Sequence, residues 1–235
     1  MNALEAVRVL DRDSRRDEGR TLSQEIYERL SDRIVRGEIA YGDKINIKAT
    51  AKELGVSPMP IRDALKRLEL EGIVVISPRS HCRVRVPTKT DVLNAIDSRR
   101  MIETFALSEV VGTVTPEALI RLEAIVSRME ETVRATPPRQ SEYVDLDRAF
   151  HSQLCGLAEN RYIDSYYHHI NLHLSMSYRY GTGVCHGMEA TLKEHIEIVE
   201  LLRKNSPEAV TVLNEHLLKS RQNIQSEPGF LALKD

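Results

Sequence analysis

A mainly α-helical chain with one small β-hairpin near its N-terminus is what three features of this 235-residue sequence predict. Apolar residues recur at helical spacing through most of the chain. Two β-rich runs, IVVI and RVRV, stand close together before Pro87. Beyond Pro87 the helical patterns are punctuated by Thr115-Pro116, Pro137-Pro138, Gly181-Thr182-Gly183 and Ser206-Pro207, and no convincing strand pattern follows. With 41% hydrophobic and 29% charged residues, the length suits one large or two modest domains, each with its own core. No apolar run approaches the roughly 20 residues that span a bilayer, and MNALEAVRVLDRDSRRDEGR lacks an apolar secretory core, so a cytoplasmic protein is expected. Cys82, Cys155 and Cys185 are odd in number, far apart and in no CxxC pattern, which argues against a disulfide framework or a thiolate zinc site.

Residues 1–20 balance five acidic against five basic residues without sustained apolar period, and read as a tail with a short helix at 3–10. From Thr21, Leu22, Ile26, Leu30, Ile34 and Val35 predict a first helix that Gly37 stops. KINI, residues 44–47, reads as a short extended piece. Gly55 and Gly72 then divide ATAKELGVSPMPIRDALKRLELEGIVVI into two helices joined by a tight turn. The second has Ser57 at its N-cap, Pro58 at its first position and Ile61, Leu65 and Leu68 as an apolar stripe. Its other face carries Arg62, Lys66 and Arg67. IVVI and RVRV, separated by SPRSHC, form a hairpin with a basic tip. Together, residues 21–87 describe a winged helix-turn-helix, and residues 88–235 an all-helical bundle with helices near 90–111, 116–135, 140–158, 160–180, 188–204 and 207–225.

The net charge of −2 hides an asymmetry: residues 21–87 hold 12 Lys/Arg against 9 Asp/Glu, residues 88–235 hold 16 against 21. An anionic partner is therefore expected at the N-terminal part. A helix in the major groove needs side chains that reach base edges and phosphates, which Arg62, Lys66 and Arg67 supply, while Ser57 opens that helix. Arg79, His81 and Arg83 of the hairpin can reach phosphates or the minor groove. A basic helix face is also often merely solvated, so charge alone decides nothing here. The run LGVSPMPIRDALKRLELEGIVVI, Leu54 to Ile76, resembles the recognition helix of the GntR family of bacterial transcription regulators, approximately LGVSRxPVREALxxLxxEGLV. TLSQEIYERLSDRIVRGEIAYGDKI resembles that family's first helix and following turn. Pro58 stands where the family usually has Arg, and His81 where its wing usually has Gly. Both departures bear on which operator would be read.

In LDRAFHSQL, Asp147 and His151 are four residues apart on one helix face, beside Leu154. His195 lies at helical spacing from Leu192 and Val199, and His216 from Val212 and Leu213. A lone inward His is usually a hydrogen-bonded core residue. Three imidazoles and a carboxylate on three inward faces are harder to satisfy, because an unpaired buried polar group costs on the order of 1–3 kcal/mol. One divalent cation would serve all four, and His₃Asp suits Zn²⁺, Ni²⁺, Co²⁺, Fe²⁺ or Mn²⁺ with a position or two left open. The spacing is similar to that of the metal-binding FCD effector domain of the FadR subfamily of GntR regulators. VDLDRAFHSQLCGLAEN, with Asn160, and DSRRMIETFALSEV, with R-x-x-I-E at Arg99 to Glu103, resemble its segments. The resemblance implies a helical bundle with one metal ion per chain, on which a small carboxylate effector coordinates while a basic residue pairs with it. Arg99 is the first candidate for that pairing and Arg179 the second. His169 and His173, at i and i+4, read as a chance pair, and His186 as a loop residue.

The expected function is a homodimeric regulator, a repressor by resemblance, that binds an inverted-repeat operator in double-stranded DNA and responds to a small organic acid. A metal-dependent hydrolase or lyase is the alternative from another class, since the same ligands can activate water. A DNA-binding dimer whose helical part holds no metal is the third reading.

Overall fold

The computed structural model describes residues 21–77, 81–180 and 187–235, with the side chains of residues 81 and 176–180 left aside. The short helix expected at 3–10 lies outside the described residues. The described chain divides between Thr88 and Lys89 into two compact units.

The first unit runs α1 (Leu22–Val35), β1 (Lys44–Ile45), α2 (Ile47–Leu54), α3 (Pro58–Leu70), β2 (Val74–Ser77) and β3 (His81–Val84). The Thr21 side chain accepts the Gln24 amide and starts α1, and Gly37 ends it with φ +66°. Instead of running extended to residue 47, the chain turns helical at once, because the Asn46 side chain accepts the Ala49 amide and caps α2. Gly55 closes that helix at φ +67°, in the left-handed region. Ser57 occupies the N-cap position of α3 and Pro58 the first turn, as the sequence predicts, yet the Ser57 side chain makes no cap hydrogen bond. Pro60 stands at the third helical position, where the amide that a cap would accept is missing.

The three strands form one antiparallel sheet in the order β1-β3-β2, with Val74 opposite Val84 and Lys44 opposite Arg83. β2 and β3 are thus the expected hairpin, and KI adds a third strand. Ile26, Leu30, Ile61, Leu65, Leu68 and Ile73 are fully or nearly fully buried and make the core under it. α1 and α3 pack together. Across their contact the Arg67 guanidinium lies 3.8 Å from the Tyr27 ring centre, and the Tyr27 hydroxyl donates to Glu71 at 2.6 Å.

The second unit holds α4 (Lys89–Val110), α5 (Pro116–Arg134), α6 (Gln140–Gly156), α7 (Arg161–Tyr180), α8 (Met188–Arg203), α9 (Glu208–Gln225) and α10 (Pro228–Leu231). α4 is the middle of the packing: it lies against α6, α7 and α9, while α5 packs on α6 and α8, and α8 on α9. Leu107, Leu122, Met129, Phe150, Ile198 and Leu217 are among the fully buried residues that join these helices. α6 stops two residues short of its expected end; Glu159 takes φ +46°, and the Asn160 side chain then accepts the Tyr162 amide to open α7. The short α10 lies beyond the last helix that the sequence pattern predicts. It places Phe230 and Leu233 against Val92, Ile96, Leu174 and Ile224, and the Lys89 amide donates to the Lys234 carbonyl at 3.0 Å. The first turn of α4 thereby gains an acceptor for one of its otherwise unpaired amides.

Gly55→Ala should lower the stability of the N-terminal unit by about 1–2 kcal/mol, the cost of a Cβ in left-handed backbone. Nothing lies within 4 Å of the added carbon, so strain alone acts. Urea unfolding followed by circular dichroism measures it.

Candidate metal centre

α6 carries Asp147 and His151 one turn apart, α8 brings His195 and α9 brings His216, so three helices aim four donors at one point. One ligand atom from each lies within 4.8 Å of all the others. His151, His195 and His216 are buried, and Asp147 sits at the edge with 17% of its side chain exposed. The Nε2 atom of His151 is 3.2 Å from the Nε2 atoms of both His195 and His216. Asp147 Oδ1 is 3.4 Å from His195 Nε2 and 3.7 Å from His151 Nε2.

What these atoms can do follows from the other side of each ring. His151 Nδ1 lies 2.6 Å from Glu103 Oε2, and His216 Nδ1 lies 2.8 Å from Glu194 Oε2. A carboxylate only accepts, so in a neutral ring held this way the proton belongs on Nδ1 and Nε2 is the atom left to ligate. The Nε2 atoms of His151 and His216 face each other at 3.2 Å, near enough to reach one cation together. Ligands about 2.1 Å from an ion, at angles between about 90° and 110°, would stand roughly 3.0–3.4 Å apart. The two 3.2 Å separations and the 3.4 Å separation fall in this range, the 3.7 Å one is wider, and the donor set fits a divalent ion in its chemistry. Burial drives the pKa of His151 and His195 well below the usual imidazole range, which keeps both neutral, the form that ligates.

Two carboxylates to which the sequence assigns no role stand behind these rings, Glu103 of the R-x-x-I-E motif and Glu194. Glu103 is fully buried on α4, where the Arg99 Nε donates to its Oε1 at 2.5 Å. Burial pushes the Glu103 carboxyl up, and the Arg99 guanidinium and a hydrogen bond from Tyr167 oppose that push. Glu194 is partly exposed and accepts from Lys219 at 2.7 Å; its hydrogen bond with His216 is the main cause that lowers its pKa. The spacing of Arg99 and Glu103 at i, i+4 on the inward stripe of α4 was the available signal for the first. For the second it was a carboxylate preceding His195 with Lys219 one turn after His216.

Arg99, first candidate for meeting an effector, is itself buried and engaged with Glu103. The side chain of Arg179 lies outside the described residues, as do His186 and Cys185. His169 and His173 are half-buried on α7 with ring centres 5.0 Å apart, and they do not join the four-residue group. Cys82 and Cys155 are buried free thiols, and burial pushes Cys82 up to about 11.

Of the residues expected at DNA, Ser57, Arg62, Lys66 and Arg67 are exposed on or before α3, and Arg83 is exposed on β3. Arg67 is engaged inside its unit: besides Tyr27 it pairs with Glu71 at 3.2 Å and donates to Gln24. Arg83 donates to the Gly42 carbonyl at 2.8 Å. The side chains of Arg79 and His81 lie outside the described residues. Arg85 of the wing is exposed.

Known proteins share both units. Residues 94–219 match the FCD domain, and residues 22–84 match the bacterial regulatory proteins of the gntR family. An uncharacterized HTH-type transcriptional regulator of Bacillus subtilis, YdhC, is 30% identical over 198 residues, 83% of this chain and 85% of that one. The HTH-type transcriptional repressor RspR of Escherichia coli is 22% identical over 205 residues, 87% of this chain and 89% of its own. Among solved structures, E. coli McbR/YncC superposes with a TM-score of 0.77 at 16% identity, over 88% of this chain and 98% of that one. A GntR protein from Rhodococcus sp. RHA1 gives 0.72 at 21% identity, over 86% and 97%. These two likenesses speak for the fold.

Arg99→Met should destabilise the helical unit by about 3–5 kcal/mol, because it leaves the Glu103 charge buried without its partner. Thermal unfolding in excess chelator isolates this effect from any bound ion.

Proposed function

The chain belongs to the gntR family of bacterial regulatory proteins and carries an FCD domain, and from that premise we propose a homodimeric repressor whose grip on its operator is set by a small organic acid bound at a divalent metal. That it is a DNA-binding transcriptional regulator follows from the family itself, and the hydrolase or lyase alternative falls with it. Among the described residues no helix is long and apolar enough to cross a membrane.

The observation that carries the sensor reading is the convergence of three buried imidazoles and Asp147, with both outer carboxylates already engaged. When bound, the ion supplies open coordination positions for an oxygen ligand. Asp147 brings one negative charge toward a doubly charged ion, and Arg99 neutralises Glu103. A net positive charge would remain in a mostly buried site, which favours a small anion such as a carboxylate over a neutral ligand. Two copies present two recognition helices to an inverted-repeat operator, and an effector shifts the DNA equilibrium only by its differential affinity for the two states.

Protein purified without a polyhistidine tag should carry one divalent ion per chain, and Asp147→Ala should carry far less by elemental analysis. A thermal-shift screen of small organic acids should find compounds that stabilise the metal-loaded protein and do nothing after chelation. Effectors that work equally well on chelated protein would remove the metal from the mechanism.

Arg62→Ala should weaken operator binding and reduce the salt dependence of log K by about one unit, measured by fluorescence anisotropy at several salt concentrations. Arg67→Ala should instead lower the stability of its own unit, since its contacts are to Tyr27, Glu71 and Gln24.

A further inference from the structure

The three imidazoles of the centre differ in what holds their outer nitrogen. His151 is held by Glu103 and His216 by Glu194, at 2.6 and 2.8 Å. His195 Nδ1 is buried and, unlike them, has no hydrogen-bond partner. Packing holds this ring instead: the Phe150 ring lies against it, 4.6 Å between centres and tilted by 55°. Its inner nitrogen has two acceptors within reach, the bare Nε2 of His151 at 3.2 Å and Asp147 Oδ1 at 3.4 Å.

We propose that Glu103 and Glu194 are positioning residues of the metal centre, which lock His151 and His216 as Nε2 donors, and that His195 is the adaptable ligand, changing tautomer when the ion enters. The proposal rests on the metal reading above. A carboxylate that accepts an imidazole N–H fixes ring orientation and tautomer and raises the basicity of the opposite nitrogen. His151 and His216 are prepared in this way before any ion arrives. His195 is not. In the ion-free centre its proton is best placed on Nε2, where His151 and Asp147 accept it, and binding requires that proton to sit on Nδ1 so that the Nε2 lone pair is released. The proton count is unchanged: one N–H bond breaks at Nε2 and one forms at Nδ1 of the same ring. The Nδ1 of His195 lacks the anionic partner that the other two rings have there, so His195 is the weakest of the three donors.

The two carboxylates differ in how safely they can be changed. Glu103 is locked to buried Arg99, so its neutral variant leaves a buried cation and destabilises the unit for that reason alone. Glu194 is paired with Lys219, whose side chain is 58% exposed and can turn to water. Glu194→Gln is therefore the informative change.

Zinc affinity of the full-length protein, measured by competition with a chromophoric chelator, should fall about 10- to 100-fold in Glu194→Gln. The unfolding temperature of the chelated variant should match that of the chelated parent. His195→Ala should retain more affinity than His216→Ala. Independently of any variant, imidazole ¹⁵N spectra of the unsubstituted protein should show His151 and His216 as Nδ1–H before and after zinc, and His195 passing from Nε2–H to Nδ1–H. Unchanged zinc affinity in Glu194→Gln, His195→Ala as damaging as His216→Ala, or three histidines with the same tautomer throughout would each overturn the proposal. If the parent protein itself takes up no zinc, cobalt, nickel or manganese, the metal reading fails first.

Discussion

Arg99 and Glu103 place two opposite charges, 2.5 Å apart and almost wholly out of water, on the helix that touches α6, α7 and α9. A pair in such a place is expensive to desolvate and is held only when each member has its partners. Glu103 has three: Arg99, His151 and Tyr167. Each sits on a different turn or helix, so α4, α6 and α7 are tied in one register. Sliding α6 by a turn would bring Asp147 or Cys155 to the place of His151 and take the imidazole away from Glu103. The centre formed by Asp147, His151, His195 and His216 depends on that register, because only in it do the rings from α6, α8 and α9 point at one another.

Much of the architecture is legible in the sequence because helices of this length announce themselves by period and by punctuation. Thr115 caps α5 and Pro116 occupies its first turn, as written in the sequence. Asp147, His151, His195 and His216 could be found by spacing because each sits beside apolar residues on its own helix. What the sequence conceals is the partner behind each ligand. Arg99 and Glu103 at i, i+4 look like one more solvated ion pair, the commonest meaning of that spacing. Only tertiary packing shows that the pair is buried, and therefore that Arg99 is engaged at Glu103 instead of standing free in a cavity.

The same holds at the other end of the chain. Arg62, Lys66 and Arg67 share one description in sequence, as cations on the polar side of α3. All three are exposed, and the structure separates them by contacts: Tyr27, Glu71 and Gln24 meet Arg67. Asn46 and Pro60 changed local structure through a single side-chain acceptor and a single missing amide. Periodicity carries no information about either, and α10, with four residues, is too short to have a period.

The hydrogen bond from Lys89 to Lys234 joins the first helix of the second unit to a segment that lies beyond its last long helix. Seen as a folding problem, this contact has nearly the largest sequence separation the unit allows, so its closure must wait until most of the chain is in place. During synthesis the first unit can complete its own core from residues 21–88 while α4 still lacks Val92 and Ile96 contacts from Phe230 and Leu233. The first unit can thus close its core before the second has all of its helices, so the two units need not fold as one cooperative step.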